Sequence, residues 1–291
     1  MQARANLSGI LWMVTAMAAF AIEDALIKHC ARQLPFGQVL VLFGLAGAGI
    51  FAALVRLAGG TLFRRDVLSR LMLVRAVFEL AGRLFYFLAV ALTSLSSATA
   101  ILQATPVLVV LGGGVFFGER VGWRQWCAVG AGLVGVLIVL RPAAGDFSVL
   151  SVLTVIGIIG FAGRDLASRA APASLSAPHL GFYGFLTVVI AGTLYSLWDA
   201  RVFVWPDAIS AASLAGAVAF GVLAYGALMK AMRTGDIATV TPFRYTRLLF
   251  GLGLGMLFFG ERIDAPMIIG CACIISAGGL IAWHRHATRK G

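Results

Sequence analysis

The sequence predicts an all-α membrane protein of ten transmembrane helices, arranged as two inverted-topology five-helix repeats. Three observations carry this expectation. Hydrophobic residues fill 60% of the 291 positions and charged residues only 12%, with mean hydropathy +0.96, whereas an ordinary globular domain is about one-quarter charged. The apolar runs are long and continuous, which suits membrane helices and not the short alternating strands of a barrel. The pentapeptide FFGER occurs at Phe116–Arg120 and again at Phe258–Arg262.

Taken in order, apolar runs of the length that crosses a bilayer fall at 7–27, 37–57, 71–92, 96–117, 122–140, 149–168, 179–198, 209–230, 237–259 and 266–284. Short polar stretches separate most of them, such as GGTLFRRD, RPAAGD and DARVFVWPD. Spans 3 and 4 are parted by almost nothing. The first span, with its basic start and small residues, also resembles a cleavable signal peptide. An internal match argues against removal: FAIEDALIK from Phe20 in span 1 corresponds to FAGRDLASR from Phe161 in span 6.

The two matches, 141 and 142 positions apart, divide the chain into a first repeat over 1–144 and a second over 145–291. Five spans per repeat is an odd number, so the second copy enters the membrane upside down, as in many secondary transporters. Basic residues set the orientation. Arg4, Arg56, Arg64, Arg65, Arg70, Arg120, Arg124, Arg169, Arg233, Arg285, Arg289 and Lys290 fall on the side of the termini, against Lys28, Arg32, Arg141, Arg201 and Arg262 opposite. Both termini are therefore expected in the cytoplasm, and the net charge of +11 is spent at helix ends, with no nucleic-acid partner implied.

The paired stretches TPVLVVLGGGVFFGERVGWRQWCAVGAGLVGVLIVL and TPFRYTRLLFGLGLGMLFFGERIDAPMIIGCACIISAGGLI resemble the drug/metabolite transporter superfamily, specifically its EamA-type exporters, over essentially the whole chain. That resemblance implies a transporter of the bacterial inner membrane, exporting amino acids or related small metabolites. Relatives of the same fold that import metabolites such as S-adenosylmethionine, or expel cationic drugs, supply alternatives. A membrane scaffold or intramembrane enzyme is the non-transporter alternative.

Ionisable residues inside spans are costly unless paired or hydrated, so each is a candidate for function. Span 3 carries Arg75, Glu79 and Arg83 on one face at i, i+4 and i+8, with Tyr86 near the same line. Span 9 carries Arg244, Tyr245 and Arg247 after Pro242. These residues, with Gln103 of span 4 and Tyr225 of span 8, are the expected lining of a midplane cavity bounded by spans 3, 4, 8 and 9, with contributions from 1 and 6. Its basic surplus suits a substrate carboxylate. Tyr183 and Trp12 are further candidate walls, and Glu79 is the candidate proton carrier. Glu23, Asp24, Arg164 and Asp165 are expected as gating or structural charges, and Glu119 and Glu261 as carboxylates capping the helix that follows each.

The competing expectation is that the charges neutralise one another in buried pairs, Glu79 with Arg83 or Arg247 and Glu23 with a neighbouring arginine, while Arg75 snorkels to the interface. Pro106 and Pro242 should interrupt spans 4 and 9. The chain contains no Walker-type phosphate loop, no H-E-x-x-H and no G-x-S-x-G. Cys30, Cys127, Cys271 and Cys273 have neither disulfide nor metal spacing. The expectation is thus a monomeric, non-enzymatic transporter without cofactor or ATPase partner.

Overall fold

Hydrocarbon offers no water to backbone N–H and C=O groups, so so apolar a chain must close its hydrogen bonds within helices. A computed structural model describes residues 2–63, 65–117, 123–140, 149–169, 176–234 and 240–288. The described residues form helices α1 (Gln2–Gln33), α2 (Phe36–Leu57), α3 (Arg70–Leu92), α4 (Leu95–Leu102), α5 (Thr105–Phe117), α6 (Trp123–Leu140), α7 (Ser151–Arg169), α8 (Ala177–Asp199), α9 (Ala208–Thr234), α10 (Thr246–Phe259) and α11 (Ala265–Thr288), with short 3-10 turns at Arg65–Leu68 and Thr241–Tyr245. Glu119 and Arg120 of the first FFGER, and the boundary expected at 144/145, lie outside the described residues.

Among the described residues, five stretches are long and apolar enough to cross a membrane: Arg4–Gln33, Phe36–Leu57, Leu95–Phe116, Ala177–Asp199 and Ala208–Ala231. The third spans α4 and α5 together. Helix α3 has the length, at 23 residues, but it carries Arg75, Glu79 and Arg83. Those three side chains are buried against other helices, so the stripe that lowers its hydropathy points into the protein.

Local sequence starts and stops the helices. Ser69 Oγ accepts from Met72 N at the head of α3, and Ser94 Oγ from Ser97 N at the head of α4. Asp264 Oδ1 accepts from Met267 N to cap α11, and Asp207 Oδ1 from Ser210 N to cap α9. Hydrogen bonds from the Ser210 side chain and backbone hold the Asp207 carboxyl below its ordinary value. The Pro106 and Pro242 interruptions occur as expected. A turn at Gln103–Ala104 separates α4 from α5, and the 3-10 turn containing Pro242 precedes α10.

The most extensive packing joins α1 to α9, α2 to α8, α3 to α7 and α6 to α11. Each pair runs antiparallel, as the contacts of its glycines show. In α3 and α7, Gly163 faces Phe78, Gly160 faces Gly82 and Gly157 faces Tyr86; in α2 and α8, Gly37 meets Gly192 and Gly181 meets Phe51. The α3/α7 crossing is backbone on backbone: a Cβ on Gly160 would sit 2.4 Å from Gly82 N, so any larger residue must push the helices apart. Three large buried rings, Phe43, Phe87 and Phe185, meet between α2, α3 and α8, with Phe43 and Phe87 edge to face at 5.9 Å.

Candidate functional site

The close crossing of α3 and α7 lays the span-3 charge stripe along the charges of α7. Arg75 Nη2 is 2.9 Å from Glu79 Oε2, and Arg164 Nη1 is 3.8 Å from Glu79 Oε1. Arg164 turns its Nε and Nη2 onto Asp165 Oδ1, at 3.0 and 2.8 Å. The result is a row in which Arg75, Glu79, Arg164 and Asp165 alternate in sign. Glu79 is 1% exposed and Arg75 6%. Two expectations are corrected here. Glu79 pairs with Arg75 and Arg164, not with Arg83 or Arg247, and Arg75 does not snorkel, because the carboxylate one turn away draws it inward.

A second group joins α1, α3 and α10. Arg247 Nη2 lies 2.5 Å from Asp24 Oδ2, and the same oxygen accepts from the Tyr86 hydroxyl at 2.8 Å. The Arg247 guanidinium also stacks near the rings of Phe20 and Tyr86, at 4.9 and 5.6 Å. The neighbouring carboxylate is held differently. Glu23 faces Arg83 Nη1 at 3.8 Å, and among the described residues neither Glu23 oxygen has a hydrogen-bond partner, nor does Arg83 Nε. Glu23 is expected with a neighbouring arginine, and Arg83 is that arginine. The Arg83 guanidinium lies 5.7 and 6.0 Å from the rings of Phe87 and Phe185.

At the end of the bundle where α1 finishes, Glu261 spans the two chain halves. Its carboxylate accepts from Leu95 N at 2.6 Å and Ser96 N at 2.8 Å, capping α4. Capping was the expected role, but the helix is corrected: Glu261 serves α4, while Asp264 serves the following helix α11. Gly260 makes this geometry accessible. It ends α10 in the left-handed conformation, φ 64°, which a Cβ disfavours, and it turns Glu261 back across the bundle. Lys28 was counted in the sequence only as a loop charge. It joins the same end, with Nζ 3.9 Å from Glu261 Oε1 and donating to the carbonyls of Val90 and Thr93 at the close of α3.

Comparisons with known proteins agree with the geometry. The sequence profile of the EamA-like transporter family matches residues 7–141 and again residues 146–283. The chain belongs to the EamA-like transporter family. It is 29% identical to the pseudopaline exporter of Pseudomonas aeruginosa, with 98% of each chain covered. It is 28% identical to a riboflavin transporter of Vibrio cholerae, covering 98% of this chain and 96% of that one. An S-adenosylmethionine uptake transporter of Rickettsia prowazekii is 20% identical over 93% and 91% of the two chains. A solved crystal structure, 18% identical and covering 96% of this chain and 98% of the other, superposes with a TM-score of 0.63, which establishes likeness of fold. This EamA-family chain is thus a small-molecule transporter of multi-pass membrane type.

The remaining expected residues of this EamA chain divide. Gln103, at the α4/α5 interruption, donates Nε2 to the Arg244 carbonyl at 3.0 Å, tying one interrupted helix to the other. The Arg244 guanidinium has no hydrogen bond or ion pair among the described residues, although Asp165, Arg164 and Arg247 act on it electrostatically. The Tyr245 hydroxyl is buried without a partner among the described residues, and its ring helps line a shallow apolar recess of about 220 Å³ with Phe243, Thr246, Leu249 and Ile275. The exposed Leu249 opens that recess outward. Tyr225 packs edge-on against Phe51 at 5.4 Å, in electrostatic reach of Glu79. Tyr183 donates to the Leu62 carbonyl and Trp12 lies under Lys230, so neither joins the two charge groups. The first group takes its acids from α3 and α7 and the second takes its acids from α1.

Proposed function

We propose that this protein is a secondary transporter that moves amino acids or related carboxylate-bearing metabolites across the bacterial cytoplasmic membrane by alternating access, in the direction of export. Ten spans in two inverted repeats, residues 1–144 and 145–291, would supply the moving parts. The double family match supports two units. The antiparallel packing of α2 on α8 and of α6 on α11 supports their inversion, since each pair joins elements at corresponding places in the two halves. Both termini then lie in the cytoplasm, and the Lys28–Glu261 end faces outward.

One observation carries the substrate class. Arg75, Arg83, Arg164, Arg244 and Arg247 outnumber Glu23, Asp24, Glu79 and Asp165 inside the bundle, and Arg244 is the one of these five without an ion pair among the described residues, with Asp165 acting on it only at longer range. It stands beside the interruption of α10, where transporters of this kind build their sites from broken helices. A guanidinium in a low-dielectric interior recruits a carboxylate. Export is favoured by the match to the pseudopaline exporter; the S-adenosylmethionine uptake transporter keeps import as the second reading.

Proteoliposomes tested with labelled amino acids, riboflavin, S-adenosylmethionine and quaternary amines check this. Carboxylate-bearing solutes should show counterflow, and Arg244→Ala should lower it about tenfold or more, the effect of a lost charge-assisted contact, with unfolding temperature unchanged. Movement of quaternary amines alone would replace this reading with cationic drug export. If nothing moves, a scaffold role takes over.

A further inference from the structure

The Glu23–Arg83 pair, which joins α1 to α3, is a place where both partners keep buried polar atoms unmet among the described residues. Glu23 is 1% exposed and Arg83 8%. Among the described residues Glu23 Oε1 and Oε2 are acceptors without donors, and Arg83 Nε is a donor without an acceptor, although the two side chains face each other at 3.8 Å. A buried carboxylate and guanidinium that merely neutralise one another should close to hydrogen-bond distance, because each unmet group is costly in a low-dielectric interior. The adjacent Asp24 has done so with Arg247. The open pair therefore holds places for one proton on the acceptor side and one anion on the donor side.

We propose that Glu23 is the proton-binding residue of the transport cycle, and that its protonation frees Arg83 to take the carboxylate of the solute. This rests on the transporter reading above and deepens it. The charged and titratable groups around Glu23 are Asp24 on its own helix, Arg83 and Tyr86 from α3, and Arg247 from α10. From α9 the close neighbour is Gly221, and from α2 it is Phe43, both without charge. Asp24, Arg247 and Tyr86 are bound to one another, so among these groups the change of charge falls on Glu23 while Arg83, an arginine, stays protonated.

Charge balance then dictates the coupling. With Glu23 ionised, Glu23, Asp24, Arg83 and Arg247 sum to zero. A proton from water, added to a Glu23 oxygen, would leave Arg83 as an uncompensated buried cation, which a membrane interior disfavours. A solute carboxylate arriving with the proton takes the place of Glu23 as the counter-ion of Arg83. Proton and solute thus bind together and leave together, and the empty carrier returns with Glu23 paired to Arg83. Under this scheme the two cross in the same direction, so export runs on the solute gradient and an inward proton gradient opposes it.

Infrared difference spectroscopy on the reconstituted full chain, stepped between about pH 5 and about pH 9, tests the assignment without a known substrate. A protonated-carboxyl band should titrate in the wild type and in Glu79→Gln, and disappear in Glu23→Gln. If Glu23→Gln does not fold, the Glu23→Asp protein must show the same band at a displaced midpoint. A band that persists unchanged in Glu23→Gln, or no titrating band in the wild type, overturns the proposal. Counterflow of labelled phenylalanine and S-adenosylmethionine is the second arm. Wild-type solute affinity should fall about tenfold per pH unit above the midpoint, the slope of one proton, while Glu23→Gln should be flat with pH. Equal pH slopes in the two proteins also overturn it. Failure of every solute to move defeats the transporter reading instead, and the infrared band still decides Glu23.

Discussion

Glu23 and Asp24 are adjacent carboxylates on one helix, equally sealed from solvent, and each faces an arginine from another helix. Asp24 gives one oxygen to both Arg247 and Tyr86, at 2.5 and 2.8 Å. Glu23 lies 3.8 Å from Arg83 with neither oxygen hydrogen-bonded among the described residues. The difference separates two uses of buried charge. A pair closed by hydrogen bonds fixes the register of α1 against α10, and removing either member strands the other. An open pair contributes little to holding helices together and keeps its bonding capacity for something that comes and goes.

The largest expected effect is on the closed pair. Arg247→Ala leaves Asp24 buried without its guanidinium and should cost about 3–5 kcal/mol of stability, seen as a lowered unfolding temperature in detergent. The double variant with Asp24→Asn should lose less than the two singles together. Arg83→Ala is the intermediate case, at about 1–2 kcal/mol, with a loss of counterflow out of proportion to the loss of stability. Arg83→Ala and Arg247→Ala destabilising equally would erase the distinction between the pairs. The smallest effect comes from crowding. A Cβ at Gly221 would sit 3.3 Å from the Glu23 carboxyl carbon and 3.1 Å from the Phe43 ring. Gly221→Ala should therefore cost about 1 kcal/mol and slow transport, whereas Gly226→Ala meets nothing within 4 Å and should be neutral within about 0.5 kcal/mol.

Helix positions and interruptions were legible because they follow from local chemistry: apolar run length, serine and aspartate caps, and prolines at 106 and 242. The pairing of charges was less so. Glu79 has an arginine four residues away on either side, Arg75 and Arg83, and spacing alone cannot choose between them. The choice is made by α7, whose Gly160 approaches Gly82 and sets Arg164 beside Glu79. That long-range contact then leaves Arg83 to Glu23. Glu261 shows the same limit. Its turn was visible as a repeated motif with a glycine, but the helix it caps lies 166 positions earlier in the chain, beyond any local pattern.

The Glu261 cap also sets an order of events in synthesis. The first N–H groups of α4, at Leu95 and Ser96, take their acceptor from a residue near the chain's far end. While the ribosome is still translating the second half, those donors do not yet have the Glu261 carboxylate, and the α3–α4 corner is held by first-half contacts such as Ser94 and Lys28. The helices of the first half can be delivered to the bilayer early, but the corner between α3 and α4 is completed only when residue 261 arrives. A chain truncated before Glu261 would thus be inserted without being finished, which makes the late turn a checkpoint for quality control of the whole protein.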